Sequence, residues 1–440
     1  MTRNVLLAAM ENGAGLAAKL VGLLFFAWLL GPEGQGQFTL FIVSYSLATN
    51  VGMFGLDTAN TYWRARLKHH RSHSALVGNS LVLGPIFGLL AVAATGFLFD
   101  VLGFVDQLPP KTLPLLCGAI MSGVVVLPLG ALLFGADMFF ERLVGSILHS
   151  VIFVAGLAFL FLWGDFSLFG AMAFWTIGLL CCGLYWLMQL IDAHQTGTDF
   201  GGLGFSSTLA RRQIKYGLRA YPYFAMSAAN FRLDNFLVTG LLGVSALGIY
   251  SVAVAVTEIF LYLPRAFVNV VLLDVASGKR ERIVDVTTVL SAACLVVSPI
   301  LALVLPTALW LLLPGEFMKA TWLVLLLMPG TFAMAIATVG AYYLFGKAQE
   351  VSASWAATLG AVSTVGFNLL LIPSIGIAGA AIASSFAYGV FCWAILRVAS
   401  KRLGISIASL LKPDFQALCR GGRALAGQIK LTDGLNQFRK

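Results

Sequence analysis

Charge is what this chain lacks most. Only 11% of its 440 residues are Asp, Glu, Lys or Arg, against about 25% in soluble globular domains, which excludes a water-soluble globule. The six cysteines (Cys117, Cys181, Cys182, Cys294, Cys392, Cys419) contain no Cys-x-x-Cys pair, so neither a redox motif nor a zinc site is expected. Five of them fall inside apolar runs and read as packing residues. No strand-and-helix context surrounds Gly201-Gly202-x-Gly204, so it is not a nucleotide-binding loop. His69, His70 and His73 stand among Lys68 and Arg71 and read as a solvated face, with no metal expected. Near the start, Glu11, Asn12 and Lys19 interrupt the apolar stretch and no small-residue cleavage site follows, so the first helix is expected to be retained.

What is present is hydrophobic: 59% of the residues, with a mean hydropathy of +0.90. A membrane span needs about 20 mainly apolar residues, and turn or charge punctuation cuts the chain into twelve such runs. They cover 5–30, 37–61, 75–99, 112–136, 143–163, 168–190, 215–240, 247–273, 284–313, 320–346, 352–373 and 377–398. Their length and continuity predict an all-α membrane protein, because lipid-facing strands alternate over about ten residues. The net charge of +9 does not point to nucleic acid. Its residues lie between the runs on one side and in the tail, with only Lys111 and Lys319 opposite. The positive-inside rule then predicts cytoplasmic termini.

Four echoes divide the chain in two. Leu30-Gly31-x4-Gly36-x-Phe38 returns as Leu242-Gly243-x4-Gly248-x-Tyr250, and Leu102-Gly103 resembles Pro314-Gly315, both at an offset of 212. Leu133-Phe134-Gly135-Ala136 returns as Leu344-Phe345-Gly346-Lys347 at 211, and Phe169-Gly170-Ala171-Met172-Ala173 as Ala378-Gly379-Ala380-Ala381-Ile382 at 209. Their common order and near-constant spacing predict two parallel six-helix lobes, 1–190 and 215–398. A polar linker, 191–214, joins them, a basic tail, 399–440, follows, and a working site is expected where they meet. In the tail, Ile405, Leu410, Leu411, Phe415 and Leu418 alternate with basic residues as in a short surface helix.

Three segments carry a wider resemblance: Leu29-Leu30-Gly31-Pro32-Glu33-Gly34-Gln35-Gly36-Gln37-Phe38, then Arg232-Leu233-Asp234-Asn235-Phe236 with Leu242-Gly243 through Ala253, then Ile372-Pro373-x-x-Gly376 through Ala383. With twelve spans they resemble the polysaccharide flippase branch of the superfamily that also contains multidrug exporters and lipid II flippases. The resemblance implies two pseudo-symmetric bundles that move an undecaprenyl-pyrophosphate-linked oligosaccharide across the bacterial inner membrane by alternating access. The two further helices of lipid II flippases are not found after residue 398.

An ionised side chain at mid-bilayer costs about 3 kcal/mol or more, so those that persist usually face a cavity or a partner. Lys19 and Arg232 lie roughly 16 and 12 Å inside their runs, and the offset places Lys19 opposite Phe231, next to Arg232. With Arg265, which follows Pro264, they are the candidate contacts for a pyrophosphate. Arg supplies planar paired donors and Lys a point charge. Internal salt bridges such as Glu258 with Arg265 remain open. Asp234 and Glu258 are the candidates for Na⁺ or proton coupling, or for pairing with those cations. Asn12, Asn50, Asn230 and Asn235 are candidate cavity polar groups or interhelical glue. No cofactor is expected, and a glycan polymerase or synthase component is an expected partner. A drug or cation antiporter would prefer unpaired carboxylates. A glycan-assembling enzyme would need more than Asp100, Asp106 and Lys111 on its longest outer loop. A non-transporting subunit of an exopolysaccharide synthase fits the span pattern equally. The charge pattern predicts that reporters fused before Arg3 and after residue 398 both report the cytoplasm; protease protection in inside-out and right-side-out vesicles checks it.

Overall fold

A backbone buried in hydrocarbon must satisfy its own polar groups, and in the computed structural model this chain does so by helix. The structure describes residues 2–67, 70–195, 203–261, 282–347 and 349–416, and no strand occurs among them. The helices are α1 (Thr2–Leu29), α2 (Gly31–Gly52), α3 (Leu56–Arg66), α4 (His70–Val101), α5 (Thr112–Gly135), α6 (Phe139–Trp163), α7 (Leu168–Gln195), α8 (Ser207–Leu242), α9 (Val244–Thr257), α10 (Arg282–Leu312), α11 (Met318–Gly346), α12 (Glu350–Ile375), α13 (Ile377–Leu403) and the short α14 (Ile407–Leu411). A 3-10 turn, Glu258–Leu261, continues α9.

Ten of these helical segments are long and apolar enough to cross a bilayer, and α2 with α3 makes an eleventh, bent by 54°. The second run was expected to be continuous. It breaks because Phe54 and Gly55 take positive φ, +47° and +73°, which no helix accommodates. The remaining expected span, 215–240, corresponds to α8, long enough at 36 residues but too polar to count among the apolar ones. A helix carrying Arg232 and Asp234 has to face protein and not lipid.

Helices α1, α3, α4, α5, α6 and α7 pack into one bundle, α1 on α6, α6 on α7 and α5 on α3, α4 and α7, and α8, α10, α11, α12 and α13 pack into another. The principal contact between the bundles is α2 against α9. Here the first echo finds its cause. A Cβ on Gly36 would lie 1.9 Å from the Val244 carbonyl oxygen, and one on Gly248 would lie 1.9 Å from that of Pro32. The two backbones touch reciprocally, and only glycine permits this approach. Gly31 and Gly243 turn the chain into these helices at φ +64° and +86°. One turn further, Thr39 Oγ1 donates to Ser251 Oγ at 3.0 Å, joining residues 212 positions apart across the local two-fold axis. The other echoes also fall at similar places: at the entries to the 3-10 turns Val105–Gln107 and Gly315–Phe317, at the ends of α5 and α11, and at the starts of α7 and α13.

Two further seams join the halves. On the glycine side, Phe104 packs on Phe236 at 5.9 Å and Trp28 Nε1 donates to the Leu312 carbonyl at 2.8 Å. At the basic end the first turns of α8 cross to the other bundle. Gln213 takes a bond from Asn79 and gives one to Asn60, both 2.7 Å, while Tyr216 stacks on Tyr62 at 4.0 Å. Pro222 inside α8 separates this crossing part from the part buried in its own lobe, and proline removes one helical hydrogen bond there. Helices α7 and α8 extend into the expected linker from either side. In the tail α14 forms with Leu410 buried, while Leu418 lies outside the described residues.

The Thr39 and Ser251 hydroxyls are close enough for the pair Thr39→Cys and Ser251→Cys to form a disulfide under mild oxidation. The expected result is retention of both halves in one band after cleavage at a protease site placed in the linker.

Candidate functional site

Glu258, where α9 tightens into its 3-10 turn, lies between the two halves. Its Oε2 accepts from Lys19 Nζ of α1 at 2.8 Å, and its Oε1 accepts from Arg232 Nη1 of α8 at 3.1 Å. One carboxylate therefore bridges a cation from each lobe, with one oxygen for each. The three side chains are 44%, 19% and 27% exposed for Lys19, Glu258 and Arg232, so the bridge faces open space. Pairing of Glu258 by the described residues is thus to Lys19 and Arg232. Arg265 lies outside the described residues.

The bridge separates two chambers. One, of about 250 Å³, runs from Lys19, Arg232 and Glu258 toward the glycine crossing; Gln35, Thr39, Asn235 and Ser251 line its seam. The other, of about 400 Å³, extends from the same three residues toward the basic end and includes Ser46, Asn50 and Ser227. Lys19 and Arg232 therefore stand on a shared void, at the boundary of both halves of it.

Helical geometry sorts the other candidates. Residues two apart on a helix point about 200° away from each other, whereas residues three or four apart share a face. Arg232 and Asn235 both line the first chamber. Asn230 and Asp234, two residues from Arg232 on either side, turn into their own lobe. Asp234, 1% exposed, accepts bonds from Tyr250 Oη at 2.6 Å, Ser384 Oγ at 3.0 Å, and the Asn235 amide N–H and Nδ2, each at 2.8 Å. It ties α8 to α9 and α13. Asn230, fully buried, accepts from Thr364 Oγ1 of α12. Asn230 is therefore interhelical glue and not a cavity group, and Asp234 is not on the chamber surface. Asn50 lines the second chamber and also donates to the Ser46 carbonyl at 2.7 Å. Asn12 donates to the Ala8 carbonyl at 2.8 Å within α1 and is absent from both chamber linings. Its neighbour Glu11 pairs with Arg142 of α6 at 3.1 Å. His73 bonds Arg64 at 2.8 Å and the Leu67 carbonyl at 2.6 Å, holding α3 to α4; among the described residues no cluster suited to a metal occurs.

Sequence reasoning missed Gln35 and His149, which line the first chamber. The second run was taken to begin at 37, whereas α2 starts at Gly31 and carries Gln35 a turn inside. His149 is the sole histidine of an otherwise apolar run, a signal that was present and not used.

No family model matches the chain, and no curated protein matches it. Solved structures do. The "Inward-facing conformation of a multidrug resistance MATE family transporter of the MOP superfamily" aligns with a TM-score of 0.68 at 14% identity, covering 88% of this chain and 94% of that one. "Lipid II flippase MurJ, inward closed conformation" aligns at 0.70 and 13%, covering 95% and 91%. A MATE in complex with MaD3S gives 0.67 and 15%, covering 91% and 96%. The chain is a multi-pass membrane protein with the fold shared by these multidrug transporters and this flippase.

The four bonds on Asp234 predict a structural role. Asp234→Ala removes the shared acceptor of the buried Tyr250 and Ser384 hydroxyls, leaving them only each other at 3.1 Å, and is expected to destabilise the protein by about 3 kcal/mol, with Asp234→Asn milder. Thermal unfolding in detergent checks this; an Ala variant of unchanged stability would contradict it.

Proposed function

We propose that this protein is a transporter that flips an undecaprenyl-pyrophosphate-linked oligosaccharide, or a related polysaccharide precursor, across the bacterial inner membrane by alternating access, with both termini cytoplasmic. The observation that carries the reading is the convergence of Lys19 and Arg232, one from each half, on a common void. A pyrophosphate offers several anionic oxygens, and a planar guanidinium beside an ammonium suits them.

Glu258 gives the site its logic. Without cargo it holds both cations, which leaves one net positive charge where two would otherwise stand uncompensated in the membrane interior. An incoming pyrophosphate competes for the same donors. Bound to Lys19 on one lobe and Arg232 on the other, the anion links the lobes; once they rock apart, Lys19 and Arg232 separate and the grip fails. The polyprenyl chain stays in lipid throughout. A proton or Na⁺ reaching Glu258 would release the cations to the cargo, so Glu258 is the better coupling candidate. Asp234, engaged by four donors, would first have to give up its structural bonds.

A drug or cation antiporter of the same fold would bind its cargo to an acidic chamber, and here the chamber's carboxylate already faces two cations. A non-transporting synthase subunit would not need cations from both halves on one cavity. A polymerase or synthase component remains the partner that this reading expects, through the basic end.

The test uses purified protein in liposomes with fluorescent lipid-pyrophosphate sugars, with and without Na⁺ and pH gradients. Lys19→Gln combined with Arg232→Gln is expected to lower translocation at least tenfold while the protein stays folded. Glu258→Gln is expected to keep cargo binding and lose the response to the gradient. Wild-type rates in the double variant would refute the assignment. In cells, loss of the gene should leave the lipid-linked precursor on the cytoplasmic leaflet; absence of the precursor altogether would favour the synthase role.

A further inference from the structure

The chamber between the ionic bridge and the glycine crossing is uneven in a way that internal symmetry does not require. Its wall from the first half is aromatic: Phe38 stacks on Phe153 at 5.8 Å, and Trp175 meets His149 edge-on at 5.2 Å. Its seam is made of amide and hydroxyl groups, Gln35 and Thr39 from one half and Ser251 from the other. Two lining side chains bear buried polar atoms with no protein partner, Gln35 Oε1 and His149 Nε2. Gln35 is 6% exposed. Its Nε2 reaches the Thr39 and Ser251 hydroxyls only at 3.4 and 3.3 Å, long for hydrogen bonds. Folded proteins rarely leave buried polar atoms unmatched, because each one forfeits its hydration without return. Two of them on one small chamber indicate a ligand that supplies the missing partners.

The lining defines its chemistry. Flat aromatic faces accept the C–H faces of a saturated ring, while neutral amide, imidazole and hydroxyl groups exchange hydrogen bonds with ring hydroxyls. The cations form the floor. At about 250 Å³ the space lies under the roughly 300–1,000 Å³ of drug-sized pockets, which favours one ring over a chain. We propose that this chamber is a saccharide subsite for the sugar joined directly to the pyrophosphate, with Gln35 and His149 bonding its hydroxyl or acetamido groups. The inference rests on the flippase reading, since phosphate held at Lys19 and Arg232 is what brings that sugar to the chamber. Because the seam is built from both lobes, the subsite is complete only while α2 and α9 are in contact. The first sugar is therefore read before the lobes separate.

The experiment measures binding of the full-length protein in nanodiscs to polyprenyl pyrophosphate alone and to a panel of polyprenyl pyrophosphates bearing one hexose or N-acetylhexosamine. Wild-type protein is expected to bind at least one sugar-bearing probe about tenfold more tightly than the bare lipid, the worth of one or two good hydrogen bonds. Gln35→Met and His149→Phe are expected to erase that preference while leaving bare-lipid affinity unchanged and thermal stability little changed, since each removes an unmatched polar atom together with only long or single bonds of the same side chain. His149→Gln should restore part of the preference. Equal binding of all probes by wild type, equal weakening toward every probe in the variants, or a joint fall in stability and binding would overturn the subsite. If wild type binds the bare lipid but ignores the sugar, the flippase reading survives and the subsite does not. If it binds no lipid pyrophosphate, both fall.

Discussion

A carboxylate within a bilayer-length bundle must be neutralised, hydrated or paired, and Glu258 is paired with the first helices of both halves at once. That bridge depends on the rest of the architecture in a definite way. Lys19 can reach Glu258 only because α2 and α9 cross at Gly36 and Gly248 with their backbones in contact. It stands beside void because the three charged side chains are shared by two chambers. The glycine crossing closes one end, and the α8 crossing with its Asn60, Gln213 and Asn79 chain closes on the other. The ionic bridge lies between these two closures.

Division of labour along α8 follows from a 3.6-residue period. Arg232 and Asn235 face the chamber, while Asn230 and Asp234 face the lobe and bind it together through Thr364, Tyr250 and Ser384. The part of the helix that carries these polar groups cannot look toward lipid. It is accordingly the span that apolarity alone does not identify, and the one that both halves of the molecule use. Duplication supplied equivalent helices but not equivalent linings. Phe38 lies on the chamber, whereas its counterpart Tyr250 points its hydroxyl at Asp234, so one half became an aromatic wall and the other a polar, charged one.

Much of the fold was legible before any coordinates. Long apolar runs can satisfy their backbone only as helices, and the repeated glycines marked the places where backbones meet or turn, as Gly31, Gly36, Gly243 and Gly248 then show. The site was legible in part. Depth within a run singled out Lys19, Arg232 and Glu258, because charge at depth is costly. The helical period, applied to Asn230, Arg232 and Asp234, already contained their division between two faces, but which face met the cavity was not in the period. Gln35 was hidden by a run boundary set six residues too late, and His149 by having no charged neighbour of its own run to draw attention to it.

Sequence by itself determined the class of structure and its duplication, since hydropathy and glycine spacing act locally and need no partner to be read. Tertiary structure alone decided that one acid serves two cations, that Asp234 is a tie within a lobe, and that Gln35 and His149 share a chamber. Those relations join residues on different helices, from 16 positions apart for Asp234 and Tyr250 to 239 for Lys19 and Glu258. Their distances depend on how whole helices are rotated and crossed, which no local pattern specifies.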